Sequence, residues 1–271
     1  MNNLHRELAP ISEAAWEQIE DEARRTYTRW IAGRRVVDVT GPEGFELSAV
    51  GTGHLRAIEG VAEGVITSQR AAKQVIELRV PFRVTRQDVD DVERGSEDSD
   101  WQPVKDAVQQ IALAEDRAIF HGLGSAGIDG IAPTSSNQLV HASDDVTEFP
   151  EAVAHAVNEL RLAGVGGPYS LLLSADLYTE VSETSDHGYP IVDHLARMLD
   201  GEIIWAPGLE SGGLLVTTRG GDYELYLGQD LSIGYLSHNA DTIELYLQES
   251  FTFLAYTAEA SVVLQIEADE D

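Results

Sequence analysis

One stretch limits what this chain can become. Between Asp100 and Gly122 the residues Trp101, Val104, Val108, Ile111, Ala112, Ala118 and Ile119 recur at three- and four-residue spacing, the period of one helix face. Asp100 is an N-cap type, Pro103 suits a first turn where its missing N–H is not needed, and Gly122 suits the residue after the last turn. Glu115 stands near the middle of that apolar face, and Leu113 and Phe120 lie almost opposite it. A helix apolar on two sides needs cover on two sides, from its own domain and from something else. The spacing therefore predicts a structural beam, with Glu115 buried against an arginine rather than serving as a catalytic acid.

The flanking sequence supplies cover. Ser12 caps a helix predicted to run to about Ile31, with Trp16, Ile19, Ala23, Tyr27 and Trp30 on one face and Gly33 beyond its end. Residues 1–11 have no period and read as an arm. Val36 to Val39 and Phe45 to Val50 read as short strands around the turn Gly41-Pro42-Glu43-Gly44. From Gly51 to Ala72 the pattern is weak, so this stretch is expected to be disordered or held by another chain. Ile76, Leu78, Val80, Phe82 and Val84 then alternate with exposed residue types, a two-faced strand in which Pro81 favours an edge or bulge. Helices are expected from Pro150 to Ala163, Ala175 to Val181 and Ile191 to Leu199. Strands are expected at Leu171–Leu173, Ile203–Trp205, Leu214–Thr218, Tyr223–Leu227, Leu231–Tyr235, Ile243–Tyr256 and Ser261–Ile266. Helices in the middle with strands around them, without regular alternation, indicate an α+β fold. Glu267 to Asp271 read as a disordered acidic tail.

Charge narrows the function. Forty-seven acidic residues face eighteen basic ones, a net charge of −29, and only Lys73 and Lys105 are lysines. Such an excess repels phosphates and anionic lipids, so neither nucleic acid nor membrane is an expected partner. It also strains a folded chain unless salt screens it, and at about 1 M salt the Debye length is roughly 3 Å. The composition therefore points to a salt-rich cytoplasm. The chain has no cysteine and no membrane-length apolar run, and no secretion signal is expected, since no basic segment followed by an apolar stretch opens it.

Catalytic motifs do not assemble. Gly122, Gly124 and Gly127 match G-x-G-x-x-G, but a helix precedes them where the dinucleotide motif needs a strand. His187 and His194 are not at a metal-ligand spacing, and Asp90, Asp91 and Glu93 read as a solvated run beside Arg86 and Arg94. Nothing combines nucleophile, base and oxyanion donor, so no enzyme, metal or cofactor is expected.

Taken in order, several segments carry a resemblance. They are Leu8-Ala9-Pro10, Gly33-Arg34-Arg35-Val36-Val37-Asp38-Val39, Val92-Glu93-Arg94-Gly95, Gly167-Pro168-Tyr169, Gly188-Tyr189-Pro190, Arg219-Gly220-Gly221-Asp222, Leu227 to Tyr235 and Glu249 to Phe253. Over nearly the whole chain they resemble the linocin-like family 1 encapsulin shell proteins. The resemblance implies the capsid fold named after the tailed phage HK97, with a peripheral domain, an axial domain and an extended loop. On this chain the parts would be 1–50 and 73–132 (peripheral, with the beam helix), 51–72 (extended loop), 133–225 (axial) and 226–271 (peripheral strands and tail).

The same resemblance implies a self-assembling icosahedral homo-oligomer, in its simplest form a T=1 shell of sixty copies. It would enclose a cargo enzyme bearing an apolar C-terminal targeting peptide, a ferritin-like protein or a dye-decolourising-type peroxidase, with a role in iron storage or oxidative stress. The peptide pocket would involve Tyr27, Ile31, Arg34, Asp38, Asp230, Leu231, Ile233 and Tyr235. Read from the residues alone, Leu231 and Ile233 are ordinary strand core, and Arg34 and Asp38 an ion pair. Asp186, His187, Gly188, Tyr189 and Pro190 match the family's five-fold pore loop. Some members bind flavin through a tryptophan where this chain has Gln87, which offers no stacking surface, so no flavin is expected. The other readings are a viral or proviral major capsid protein and, further off, a bacteriocin or protease.

Overall fold

The computed structural model describes residues 3–267. Ser12 caps the first helix, Glu13–Trp30, by accepting the Ala15 amide, and Ala15, Trp16, Ile19, Ala23 and Tyr27 form its buried face. The beam helix spans Gln102–His121. Its first helical amide, that of Gln102, donates to the Asp100 carboxylate at 2.9 Å, so Asp100 does the capping although Trp101 is the boundary residue. Gly122 ends it at φ +80, and a Cβ there would sit 2.6 Å from the Gly130 nitrogen, so only glycine fits. Phe120 is fully buried on the second side of the helix, beside Gly208.

Two five-stranded sheets flank this helix. In the first, the long strand Thr242–Ala255 is the hub. Ile76–Thr85 pairs along one side of it; Ser232–His238 and Tyr223–Leu227 share the other, and Asp38–Thr40 adds parallel to Tyr223–Leu227. Ile76–Thr85 is an edge strand, which accommodates Pro81, and its alternation holds: Phe82 and Val84 are buried while Glu77, Arg79, Pro81, Arg83 and Thr85 are exposed. The second sheet runs in the order Val140–Ala142, Ser261–Ile266, Gly213–Thr217, Tyr169–Leu173, Asp200–Trp205. Helices Phe149–Leu162, Ala175–Glu183 and Ile191–Leu199 pack with it. Both sheets and the C-terminal half of the beam helix meet in a shared apolar cluster that includes Ile119, Leu172, Leu214, Leu225 and Phe253.

Two expectations need correction, for Phe45–Leu47 and Glu267, and two further segments gain a definite structure. Phe45–Leu47 form no strand: Phe45 is exposed, and the chain turns there through hydrogen bonds from Glu43 and Gly44 to Leu227 and Gly228. The weakly patterned stretch is a two-stranded hairpin, Ala49–Ile58 with Thr67–Gln74, whose Leu55, Val61 and Ile66 project into solvent. The acidic run before the beam is helical, Arg86–Glu93, capped by Thr85. Glu267 is ordered, donating its amide to the Ala142 carbonyl and pairing with His141; the rest of the expected tail lies outside the described residues.

Candidate peptide-binding groove

The beam helix, the first helix and the long strand converge on one buried polar cluster. Glu115 and Glu249 are fully buried, the first from the beam and the second from the strand. The turn Gly33–Arg35 folds Arg34 back beneath Tyr27, its guanidinium 5.1 Å from the ring centre. Arg34 holds Glu115 through two parallel bonds of 2.7 and 2.6 Å and reaches Asp230 through a third of 2.8 Å. The Tyr27 hydroxyl lies 2.9 Å from Glu115 and 3.1 Å from Glu249. One hydroxyl proton serves only one of those contacts, and the same Glu249 oxygen lies 3.6 Å from an Arg34 nitrogen. Burial and the neighbouring Glu115 charge push the Glu249 carboxyl well above the usual range. Burial works against the Arg34 charge, but Glu115 more than offsets it, so the guanidinium stays ionised.

Asp116 fixes the turn from below. Its carboxylate accepts the amides of Ala32 at 2.9 Å and Gly33 at 2.7 Å. Burial pushes it up to about 7, against the pull of those two amides. A Cβ at Gly33 would lie 2.7 Å from the tip of Ile119 and 3.0 Å from the Asp116 carboxylate, so any larger residue would have to displace both.

Above this floor runs a groove between the first helix and the strand Ser232–His238. Ala23, Tyr27 and Thr28 line one wall, Leu231, Ser232 and Ile233 the other, with Arg34 and Asp230 between and Leu4 and Arg6 of the N-terminal segment adding cover. Tyr27, Arg34, Asp230, Leu231 and Ile233 are thus together. Ile31 is buried beside them in the core and does not line the groove.

Two of the expected residues sit elsewhere. Asp38 opens the short strand parallel to Tyr223–Leu227, so its carboxylate meets the neighbouring turn and accepts the Gly221 amide at 2.6 Å. It lines a separate cleft with Arg35 and Gly220, and pairs with no arginine among the described residues. The Tyr235 hydroxyl bonds His238 at 2.6 Å, outside the groove lining.

Asp186 to Pro190 form a tight hairpin in which His187 and Gly188 take positive φ and the His187 side chain is 96% exposed, 3.6 Å from Asp186. The Arg197 guanidinium covers the Tyr189 ring at 4.9 Å. Sequence reasoning missed Glu249, Asp116, Leu4 and Arg6. The one available signal was a glutamate inside the apolar run Ile243 to Tyr256. Gly122, Gly124 and Gly127 close the beam helix in a short turn held by Leu123 and Ile128. Among the described residues no group of three potential ligands is placed to hold a metal, and no helix is long and apolar enough to cross a membrane.

The profile of the family described as "Encapsulating protein for peroxidase" matches residues 1–252. The chain belongs to this family. A type 1 encapsulin shell protein of Brevibacterium linens is 64% identical over 98% of this chain and 100% of its own length. Those of Rhodococcus erythropolis and Mycobacterium tuberculosis are 62% and 58% identical over 97% of this chain and 100% and 99% of theirs. Among solved structures, a virus-like particle from Pyrococcus furiosus superposes with a TM-score of 0.67 at 16% identity, covering 92% of this chain and 99% of its own. A chain from Mycobacterium phage Bobi gives 0.57, also at 16%, covering 89% and 91%. The fold is therefore the HK97 capsid type, and the encapsulin chain is a shell subunit of a capsid-like compartment, not an enzyme.

Proposed function

We propose that the compartment captures a partner enzyme through an apolar C-terminal peptide laid in the groove between helix Glu13–Trp30 and strand Ser232–His238. The observation that carries this reading is a trough with apolar side chains on both walls and a charged rim, over a rigid floor: Leu231 and Ile233 stand across from Ala23 and Tyr27, Glu20 and Arg24 border them, and Arg34 is held from three sides by Glu115, Asp230 and Tyr27. A floor so fixed receives a guest with little reorganisation. The family's description favours a peroxidase as guest, with a ferritin-like iron protein the other candidate.

In this reading sixty copies close a T=1 shell in the cytoplasm. The hairpin Ala49–Ile58 with Thr67–Gln74 lies on a neighbouring copy, which would cover Leu55, Val61 and Ile66. The second sheet with its helices forms the axial part, and the exposed Asp186–His187 turn rings a pore that passes cations. The net charge of −29 suits a salt-rich interior, so shells held in about 1 M salt should loosen on dilution as screening is lost.

The test is Leu231→Asp. Shells purified from the native cell should still close under negative stain but lose the co-purifying enzyme. Retention equal to the wild type would remove the groove from the account.

A further inference from the structure

The groove's strand wall has backbone groups that its apolar side chains do not explain. Ser232–His238 pairs with the hub strand on one side only, Ile233 opposite Leu247 and Tyr235 opposite Leu245. In an antiparallel ladder, alternate residues bond across to the partner and the intervening ones direct N–H and C=O outward. Tyr235 identifies the outward set, because its amide leaves the ladder and donates to the Leu4 carbonyl at 2.9 Å. Ile233, two residues earlier, belongs to the same set.

The three outward positions along this edge differ in how they are satisfied. The Leu231 amide is closed by the preceding Asp230 carboxylate at 2.8 Å. The Tyr235 amide is closed by the N-terminal segment. Between them, the Ile233 amide has no hydrogen-bond partner among the described residues, although the residue is only 5% exposed. An amide left unpaired in so buried a residue is costly, and it opens onto the groove.

The arm that closes Tyr235 is itself anchored. The Asn3 carbonyl accepts from the Tyr246 hydroxyl at 3.3 Å, and the Asn3 amide group donates to Gln229 at 3.2 Å. Arg6 pairs with Glu20 and lies 4.1 Å above the Trp16 ring. The open stretch of edge is thus short and bounded, with a fixed stop at Leu4.

We infer that the groove takes its guest as an added strand: an extended segment of the partner pairs its own backbone with the amide and carbonyl of Ile233 and ends against Leu4. This rests on the docking reading above and adds main-chain recognition with a fixed register. In such a strand successive side chains point to opposite faces, so every second residue of the guest faces Ala23 and Tyr27. The groove therefore selects an alternating apolar and polar segment, not a merely greasy one.

The test uses a fluorescent protein co-expressed with the full-length shell and ending in Ser-Leu-Thr-Ile-Thr-Leu, against the same protein ending in Ser-Thr-Thr-Leu-Ile-Leu. Equal composition with a different period should lower the guest retained per shell at least tenfold. On the shell, Ile233→Pro removes the amide proton without costing the ladder a bond, because the position faces outward. It should lower retention of the alternating tail at least tenfold, while Ile233→Val stays within threefold.

Equal loading of both tails, loading of neither, or full retention by Ile233→Pro overturns the added strand. Equal loss in Ile233→Pro and Ile233→Val also overturns it, assigning the contact to the side chain. In each case the docking reading stands or falls separately, on Leu231→Asp with the native enzyme. Should Ile233→Pro fail to assemble, hydrogen exchange of the Ile233 amide decides: at least tenfold slowing in loaded wild-type shells supports the added strand, and unchanged exchange removes it.

Discussion

Beneath the sheet that contains Tyr169–Leu173, the core is built from Phe149, Val153, Leu160, Leu171, Leu195 and Leu215, and the buried polar side chains on its strands, Ser170, Thr217 and Ser261, carry no charge. Beneath the sheet built on Thr242–Ala255, apolar packing surrounds Glu115, Asp116 and Glu249. Every buried carboxylate among the described residues (Glu22, Glu115, Asp116, Asp222 and Glu249) belongs to the second setting or its margins. Burying a charge is expensive unless it is paired, and hydrophobic replacements are often as stable, so stability alone gives no reason for this arrangement. The polar cluster lies directly under the groove, where, on the docking reading proposed above, a fixed orientation of Arg34 and Tyr27 serves the guest. One half of the molecule is packed to hold its shape, and the other is packed to present a surface.

The contrast can be broken by removing one member from each side. Arg34→Leu leaves Glu115 buried without its cation and should cost about 3–5 kcal/mol, read as a drop in the thermal midpoint of shells at fixed subunit concentration. Converting Arg34 and Glu115 to methionine together should restore most of that loss, and failure to do so would mean the cluster matters for more than charge balance. On the apolar side, Leu171→Ala should cost about 2–5 kcal/mol through the cavity it leaves, with no dependence on pH or salt.

A pH series sharpens the difference. Asp116 is pushed up to about 7 in the folded chain, above the ordinary carboxyl value of about 3.9 that the unfolded chain retains. The folded state therefore binds more protons than the unfolded one across that window. Its contribution is present at low pH and is lost as pH rises from about 4 to about 7. In Asp116→Asn the stability curve should fall less over that interval than in the wild type, measured by denaturant midpoints at each pH. A parallel curve would show that Asp116 does not titrate there.

The smallest effect concerns the hairpin. Lys73 donates to the Gly127 carbonyl at 2.6 Å and pairs with Asp129 at 2.5 Å, tying the hairpin base to the loop after the beam helix. Asp129 is exposed, so Lys73→Ala should cost less than about 1 kcal/mol and lose that effect in high salt. Proteolysis within 51–72 before and after closure of the shell would report the loosened base.

Legibility followed burial. The beam helix, the helix Ile191–Leu199 and the strands Tyr223–Leu227 and Ser261–Ile266 were readable because each has a face or a whole run withdrawn from water. The hairpin was not, because no residue from Leu55 to Arg70 is buried within the chain, so nothing there enforces a period. The helix Arg86–Glu93 hid behind its charges, with only Val89 and Val92 turned inward. For the groove, Glu115 with an arginine was legible as a buried charge that needs a partner. Which arginine, and that Glu249 would share the site, depended on three elements distant in sequence. Asp38 enters the expected groove only through the family motif, and no pattern in the sequence tells that its carboxylate turns to the Gly221 amide in a separate cleft.

The Tyr27 hydroxyl, set between two carboxylates with a single hydrogen to give, has an outcome beyond the groove. An unfolded chain near neutrality has both Glu249 and Asp116 ionised, whereas burial in the native chain pushes Asp116 up to about 7 and Glu249 well above the usual carboxylate range, so both hold hydrogen more tightly once folded. Folding accordingly draws hydrogen ions out of solution, and refolding in a weakly buffered medium turns that medium alkaline in proportion to the number of subunits formed.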